Sequence, residues 1–180
     1  MSNNEPTLNK EVIYNGKIID VELHEVELPN GNTSKREVVY HNGAVAVCAL
    51  NADNEVILVK QFRKPLEKPL VEIPAGKLEK GEDREDAAKR ELKEETGYEA
   101  ESLTLIANSY GTPGFSNELI SIYMAEGLTK GEVDLDDDEF VEHITLPIDK
   151  VKEALQNQEF EDAKTIIALQ YLLLNYNHYK

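Results

Sequence analysis

Between residues 11 and 40 apolar and polar side chains alternate, and the turn-forming run Pro29-Asn30-Gly31-Asn32 interrupts the pattern. A period of two turns one face of an extended strand toward a core and the other toward water. The stretch therefore predicts antiparallel strands joined by a hairpin, a β arm ahead of the main body. Residues 44–50 and 56–61 are apolar at almost every position. Such runs predict strands covered on both faces, and the turn Asn51-Ala52-Asp53-Asn54 between them predicts a second hairpin, in the core sheet. Pro65 and Pro69 bracket a loop, and residues 70–73 predict a short strand that Pro74-Ala75-Gly76 breaks.

Residues 83–96 change period. They carry good helix formers, with Ala88 and Leu92 one turn apart on an inward face and Gly97 positioned as the C-terminal cap. Strand-like runs follow at 102–109, 119–125 and 140–146, then helices at 148–156 and 161–176. The last is apolar almost all round from 166 to 174, which predicts burial against the sheet or a partner. No internal repeat or low-complexity linker interrupts the series. The order predicts an α+β protein, a mixed sheet with helices on its faces, preceded by an N-terminal antiparallel β arm over 1–42 and followed through 43–180 by the main domain.

A chain of 180 residues, 41% of them hydrophobic, is long enough for one sizeable core. Its formal net charge of −16 repels nucleic acid and anionic lipid, so an anionic substrate needs a metal or local arginines. Cys48, the single cysteine, lies in an apolar run and reads as a buried structural thiol. The first ten residues lack the basic and apolar regions of a signal peptide, and no apolar stretch approaches the roughly 20 residues of a membrane span. The expected compartment is the cytoplasm. The four histidines share no ligand spacing, which argues against zinc.

From Gly76 to Tyr98 the chain reads GKLEKGEDREDAAKRELKEETGY. Glu91 and Glu95 are four residues apart on one helix, and Glu94 is three from Glu91. Like charges at that spacing repel and weaken the helix, whereas a hard divalent cation that prefers oxygen ligands converts the repulsion into coordination. Arg90 can pair with Glu94 one turn on, and Glu82, just before the helix, is a fourth candidate ligand. A solvated acidic face would need no fixed spacing. Here Gly76, Glu82, Arg90, Glu91, Leu92, Glu94, Glu95 and Gly97 fall into one register, which seven fixed residues would match by chance on the order of once in a hundred thousand or less.

That register resembles the signature of the Nudix hydrolases: Gly, five residues, Glu, seven residues, Arg-Glu, an apolar residue, any residue, Glu-Glu, any residue, Gly and a closing hydrophobe. Only the last position is loose, with Tyr98 in place of an aliphatic residue. The resemblance implies the Nudix fold, a mixed sheet sandwiched between helices. It further implies Mg²⁺, or Mn²⁺, held by Glu91 and Glu95 with Glu82 or Glu94 and the Ala75 carbonyl, and water attack on a phosphorus of a nucleoside diphosphate.

Outside the signature the chain is similar to the ADP-ribose pyrophosphatase branch. Pro113, fifteen residues beyond Tyr98, matches that branch's proline, and Glu118 in the same loop matches a residue that contacts substrate or metal. Arg36 and Glu37 match arm residues that hold the adenine and diphosphate ends, and Arg63 matches a phosphate-binding arginine. The acidic run VDLDDDE at 133–139 fails the calcium-loop spacing, with Glu139 where an EF-hand needs glycine. The resemblance makes this loop the source of the general base, with Glu139 the first candidate, for its longer reach, and Asp138 the second. The reading is a homodimeric ADP-ribose pyrophosphatase that gives AMP and ribose 5-phosphate. Its rivals are a Nudix hydrolase for another nucleoside diphosphate sugar or an oxidised nucleotide, and a non-catalytic nucleotide sensor.

Overall fold

The computed structural model describes residues 3–132 and 140–179. The chain divides into two compact units, Met1–Gly43 with Tyr110–Leu119, and Ala44–Ser109 with Ile120–Lys180.

The first unit is a three-stranded antiparallel sheet, β1 (Thr7–Asn15), β2 (Ile19–Glu27) and β3 (Thr33–His41), in sequential order. The expected turn joins β2 to β3. Asn30 Oδ1 accepts from the Asn32 amide at 3.0 Å, and Gly31 supplies a φ of 82° that a side chain would oppose. The free edge of β3 is covered by the segment after residue 110. The Val39 amide donates to the Phe115 carbonyl at 2.7 Å, the Asn117 amide returns a bond to the Val39 carbonyl at 3.1 Å, and Asn117 Oδ1 accepts from the His41 amide. The opposite edge, β1, keeps an exposed apolar surface at Leu8, Val12, Ile13 and Tyr14.

The second unit contains two sheets. In one, β4 (Ala44–Ala49) runs parallel to β9 (Leu119–Lys130) and antiparallel to β7 (Ala75–Lys77), with β8 (Tyr98–Tyr110) beyond β9. In the other, β5 (Glu55–Arg63) lies between β10 (Val141–Pro147) and β6 (Lys68–Glu72). The expected hairpin of β4 with β5 is thus not formed. Asn51 Oδ1 does stabilise a turn by accepting from the Asp53 and Glu55 amides, but a single bridge, Leu50 to Val56, joins the strands before they enter different sheets. The reason is coverage. Each strand needs hydrogen-bonding neighbours on both edges, and each finds them elsewhere in the chain.

The expectation that these strands are buried on both faces is met, through two separate cores. Ala46, Cys48, Val56, Leu58, Ile122 and Met124 face a core shared with α2 (Ile148–Gln156) and α3 (Ala163–Asn175). Their alternates Val45, Val47, Ala49, Ile57, Tyr123 and Ala125 face a core shared with α1 (Arg84–Thr96). Helices therefore pack on both faces, as an α+β sandwich requires. Burial pushes the Cys48 thiol up to about 12, so it stays protonated and inert. The Pro74 break also takes a different form. Pro74 has no amide to give, but its carbonyl accepts from the Val47 amide at 2.9 Å, and the chain continues into β7 opposite Val45 and Ala46. Among the described residues no helix is long and apolar enough to cross a membrane.

Helix α3 is apolar nearly all round, and the structure buries Thr165, Ala168, Leu169 and Leu172 while leaving Leu174 in solvent. Its start is fixed by Asp162, whose carboxylate accepts from the Thr165 amide at 2.9 Å and the Thr165 hydroxyl at 2.6 Å; that hydroxyl in turn accepts from the Ile73 amide. Replacing Asp162 by Ala removes the cap and is expected to lower unfolding stability by about 1–2 kcal/mol. A urea titration should show an earlier midpoint with an unchanged slope.

Candidate active site

Helix α1 starts at Asp83, which accepts from the Glu85 and Asp86 amides, and stops at Gly97, whose φ of 74° closes the last turn through a bond to the Lys93 carbonyl. Between these caps the helix has one inward stripe. At about 100° per residue, Glu91 and Glu95 fall between Ala87 on one side and Ala88 and Leu92 on the other. The three apolar residues are fully buried, and they carry the two glutamates inward with them, at 8% and 3% exposure.

The strand β7 is shaped to receive them. Glu95 accepts from the Ala75 amide at 2.9 Å, and the Glu91 carboxylate lies where a Cβ on residue 76 would stand, so Gly76 is there for room. Arg90 gathers the remaining acids. It donates to Glu82 through Nε at 2.9 Å and Nη2 at 3.2 Å, to Glu91 at 2.9 Å and to Glu94 at 2.8 Å. The pairing with Glu94 is the one the spacing suggests, and Glu82 and Glu91 join it. The Arg90 guanidinium holds the Glu82 carboxyl below the usual carboxylate range, and Arg90 is shifted upward chiefly by Glu82.

Glu82, Glu91 and Glu94 bring three formal negative charges to one guanidinium, and Glu95, bonded to the Ala75 amide, adds a fourth on the same helix stripe as Glu91. Among the described residues no three acidic, histidine or cysteine side chains converge on a single point by themselves; Arg90 is the hub. The donor set nevertheless suits a hard divalent cation. It is all oxygen, it has excess negative charge, and the Gly76 cradle leaves Glu91 space.

Arg63, at the end of β5, lies within electrostatic reach of Glu95. Its Nε and Nη2 donate to Glu72 at 2.7 and 2.8 Å, and Lys164 at the start of α3 donates to the same carboxylate. Burial opposes the charge on Glu72, but Arg63 and Lys164 outweigh it and hold the carboxyl below its usual range. Glu72 and Lys164 were not anticipated from the sequence. The available signal was a lone carboxylate within the otherwise apolar run 70–73.

Arg36, Glu37, Pro113 and Glu118 all belong to the first unit. Arg36 forms a two-pronged pair with Glu5 at 2.7 and 2.8 Å, and Glu118 stands 3.6 Å from the His41 ring. Pro113 lies in a turn closed by amides of Phe115 and Ser116 on the Thr112 carbonyl. An open groove of about 460 Å³ is lined by Leu23, Lys35, Arg36, Glu37, Gly114 and Phe115. Asp136, Asp137, Asp138 and Glu139 lie outside the described residues.

Comparison with known proteins agrees with this arrangement. Residues 39–169 match the NUDIX domain, and residues 5–39 match the nucleoside diphosphate sugar hydrolase N-terminal domain. The chain is 52% identical over 172 residues to an ADP-ribose pyrophosphatase of Bacillus subtilis, covering 94% of this chain and 93% of that one. It is 50% identical, with the same coverage, to a methanol dehydrogenase activator of Bacillus methanolicus. A crystal structure of an ADP compounds hydrolase shares the fold at a TM-score of 0.82 and 24% identity, covering 97% of this chain and 94% of that one.

A methyl group on residue 76 would overlap the Glu91 carboxylate. Gly76→Ala is therefore expected to weaken divalent-cation binding at least about tenfold and to cost about 1–3 kcal/mol of stability by overpacking. Titration calorimetry with Mn²⁺ beside a thermal melt measures both, and unchanged binding would remove Glu91 from the cation site.

Proposed function

The chain belongs to the Nudix family, and on that premise we propose that it is a metal-dependent ADP-ribose pyrophosphatase yielding AMP and ribose 5-phosphate. The observation that carries the reading is the excess of carboxylate at α1: Glu82, Glu91 and Glu94 around Arg90, with Glu91 against Gly76 and Glu95 buried one turn on. The likeness to the Bacillus subtilis pyrophosphatase over almost the whole chain supports the substrate. Intact Glu91, Glu94 and Glu95 favour hydrolysis over mere sensing of a nucleotide.

In this reading Glu91, Glu95, Glu82 and the Ala75 carbonyl hold Mg²⁺, and Glu94 is kept oriented by Arg90. A bound divalent cation supplies charge neutralisation at the diphosphate and a more acidic water. The chain's own part is to hold and orient. Arg63 offers a guanidinium to phosphate, Arg36 and Glu37 take the adenine and diphosphate ends, and Glu118, in the loop of Pro113, contacts substrate or metal. Glu139, with Asp138 as the alternative, removes the proton from the attacking water. The buried thiol suits the cytoplasm as the compartment.

We also propose a homodimer formed through the arm. Strand β1 is an edge strand, and Leu8, Val12, Ile13, Tyr14 and Ile18 are each more than half exposed, an apolar surface that a second copy would cover.

Glu95→Gln removes a ligand charge while keeping an acceptor for the Ala75 amide, and turnover should fall at least about a hundredfold with the melt little changed. The assay follows AMP from ADP-ribose, beside a panel of other nucleoside diphosphate sugars and oxidised nucleotides. Near-parental turnover sinks the metal assignment, and a better substrate in the panel replaces ADP-ribose. In the same assay Glu139→Gln is expected to lower kcat without altering Mn²⁺ affinity.

Light scattering should give twice the 20.3 kDa chain mass for the parent and the single mass for Val12→Asp. A parent that elutes as a monomer overturns the dimer.

A further inference from the structure

Glu72 is almost completely buried, yet it lies at a strand end where an apolar side chain would pack without any charge to compensate. Buried ion pairs are poor sources of stability, so a reason of position should be sought for this one. In the pairing of β5 with β6, Glu72 stands opposite Val59, and Arg63 lies four residues along the same strand, on the same face. The arginine side chain therefore reaches back along the sheet and meets the carboxylate edge-on.

Only Nε and Nη2 are used in that pair; Nη1 makes no hydrogen bond among the described residues, and the side chain is 37% exposed. One edge of the guanidinium is clamped and the other is left unbonded. Lys164 completes the device. Its ammonium donates to Glu72 and to Asp162, so two cations balance two carboxylates in the clamp while Arg63 keeps Nη1 unbonded. Without the lysine, Glu72 and Asp162 would outnumber Arg63 and leave net negative charge beside an approaching phosphate.

We propose that Glu72 is a positioning residue, with Lys164 as its counter-charge, that fixes the Arg63 guanidinium edge-on so that its Nη1 edge is presented to the diphosphate of the substrate. The proposal rests on the reading of the chain as an ADP-ribose pyrophosphatase in which Arg63 binds phosphate. It assigns Glu72 no contact with substrate and no proton to move. A planar fork held on one edge retains its direction, which an unclamped arginine or a lysine at the same place would not.

The test is steady-state hydrolysis of ADP-ribose at saturating Mg²⁺ by the parent, Glu72→Gln, Glu72→Asp, Arg63→Lys and the double variant Glu72→Gln/Arg63→Lys. Both Glu72 variants should raise KM about tenfold or more, keep the half-activating Mg²⁺ concentration within about twofold, and add nothing in the double variant beyond Arg63→Lys alone. In ¹⁵N spectra the Arg63 Nε proton, one of only four arginine signals, should be protected from solvent exchange in the parent and unprotected in Glu72→Gln. If Glu72→Gln does not fold, Glu72→Asp, which keeps the charge but withdraws it by one methylene, decides the matter. Parental KM in the folded Glu72 variants, or additive losses in the double variant, overturns the positioning role while the hydrolase reading stands. A parent that leaves ADP-ribose intact overturns that reading, and the proposal with it.

Discussion

Three carboxylates, Glu82, Glu91 and Glu94, bond the single guanidinium of Arg90, with Glu95 buried on the same stripe of α1 as Glu91, and most of the second unit's local design serves to keep them there. Each like-charged pair at helical spacing costs a few tenths of a kcal/mol, and withdrawing Glu91 and Glu95 from water adds several more. The helix tolerates this because its other features leave it no alternative. Asp83 and Gly97 cap both ends, and the fully buried Ala87, Ala88 and Leu92 fix its rotation. With that stripe inward, Glu91 and Glu95 cannot turn outward without exposing the apolar residues between which they lie.

The rotation of α1 is in turn set by the sheet. Strands β4, β5 and β9 send alternate residues into different cores, so the surface presented to α1 includes the apolar row Val45, Val47, Ile57 and Tyr123, with Ser121 bonded by Arg84 at the helix start. The three-residue β7 adds the remaining piece. It presents the Ala75 amide to Glu95 and the bare Cα of Gly76 to Glu91. Sheet, helix and cradle are thus one constraint, and the ionic chemistry is imposed by packing.

Elements whose cause is local were legible in the chain. The C-terminal cap of α1 at Gly97, the Asn30-Gly31 turn and the span of α2 follow from residues adjacent to them, and so does the grouping of Glu91, Glu94 and Glu95. What was hidden depends on partners distant in sequence. Asn51 and its neighbours specify a turn, but no turn residue states that β4 will pair with β9 and β5 with β10. The edge covering of β3 by Phe115 and Asn117 is hidden for the same reason. Pro74 breaks a strand when read alone and begins one when Val47 lies opposite its carbonyl. Glu72 was passed over because its two cations come from Arg63 and from Lys164, 92 residues on.

The ion pairs of this chain differ greatly in consequence, and burial separates them. Lys64 with Glu67 and Lys89 with Glu85 stand in solvent, where water screens such pairs and they contribute little. Glu72 is different, because loss of a cation beside a buried carboxylate costs about 3–5 kcal/mol. The same groups continue into the fold: Lys164 also holds Asp162, Asp162 caps α3, and Thr165 of that cap receives the Ile73 amide. A polar chain therefore runs from the start of the last helix to the arginine beside the acidic stripe, with Ile73 leading directly into Pro74 and β7. Helix α3 supplies no candidate ligand, yet the direction of Arg63 depends, through Lys164 and Glu72, on where that helix begins.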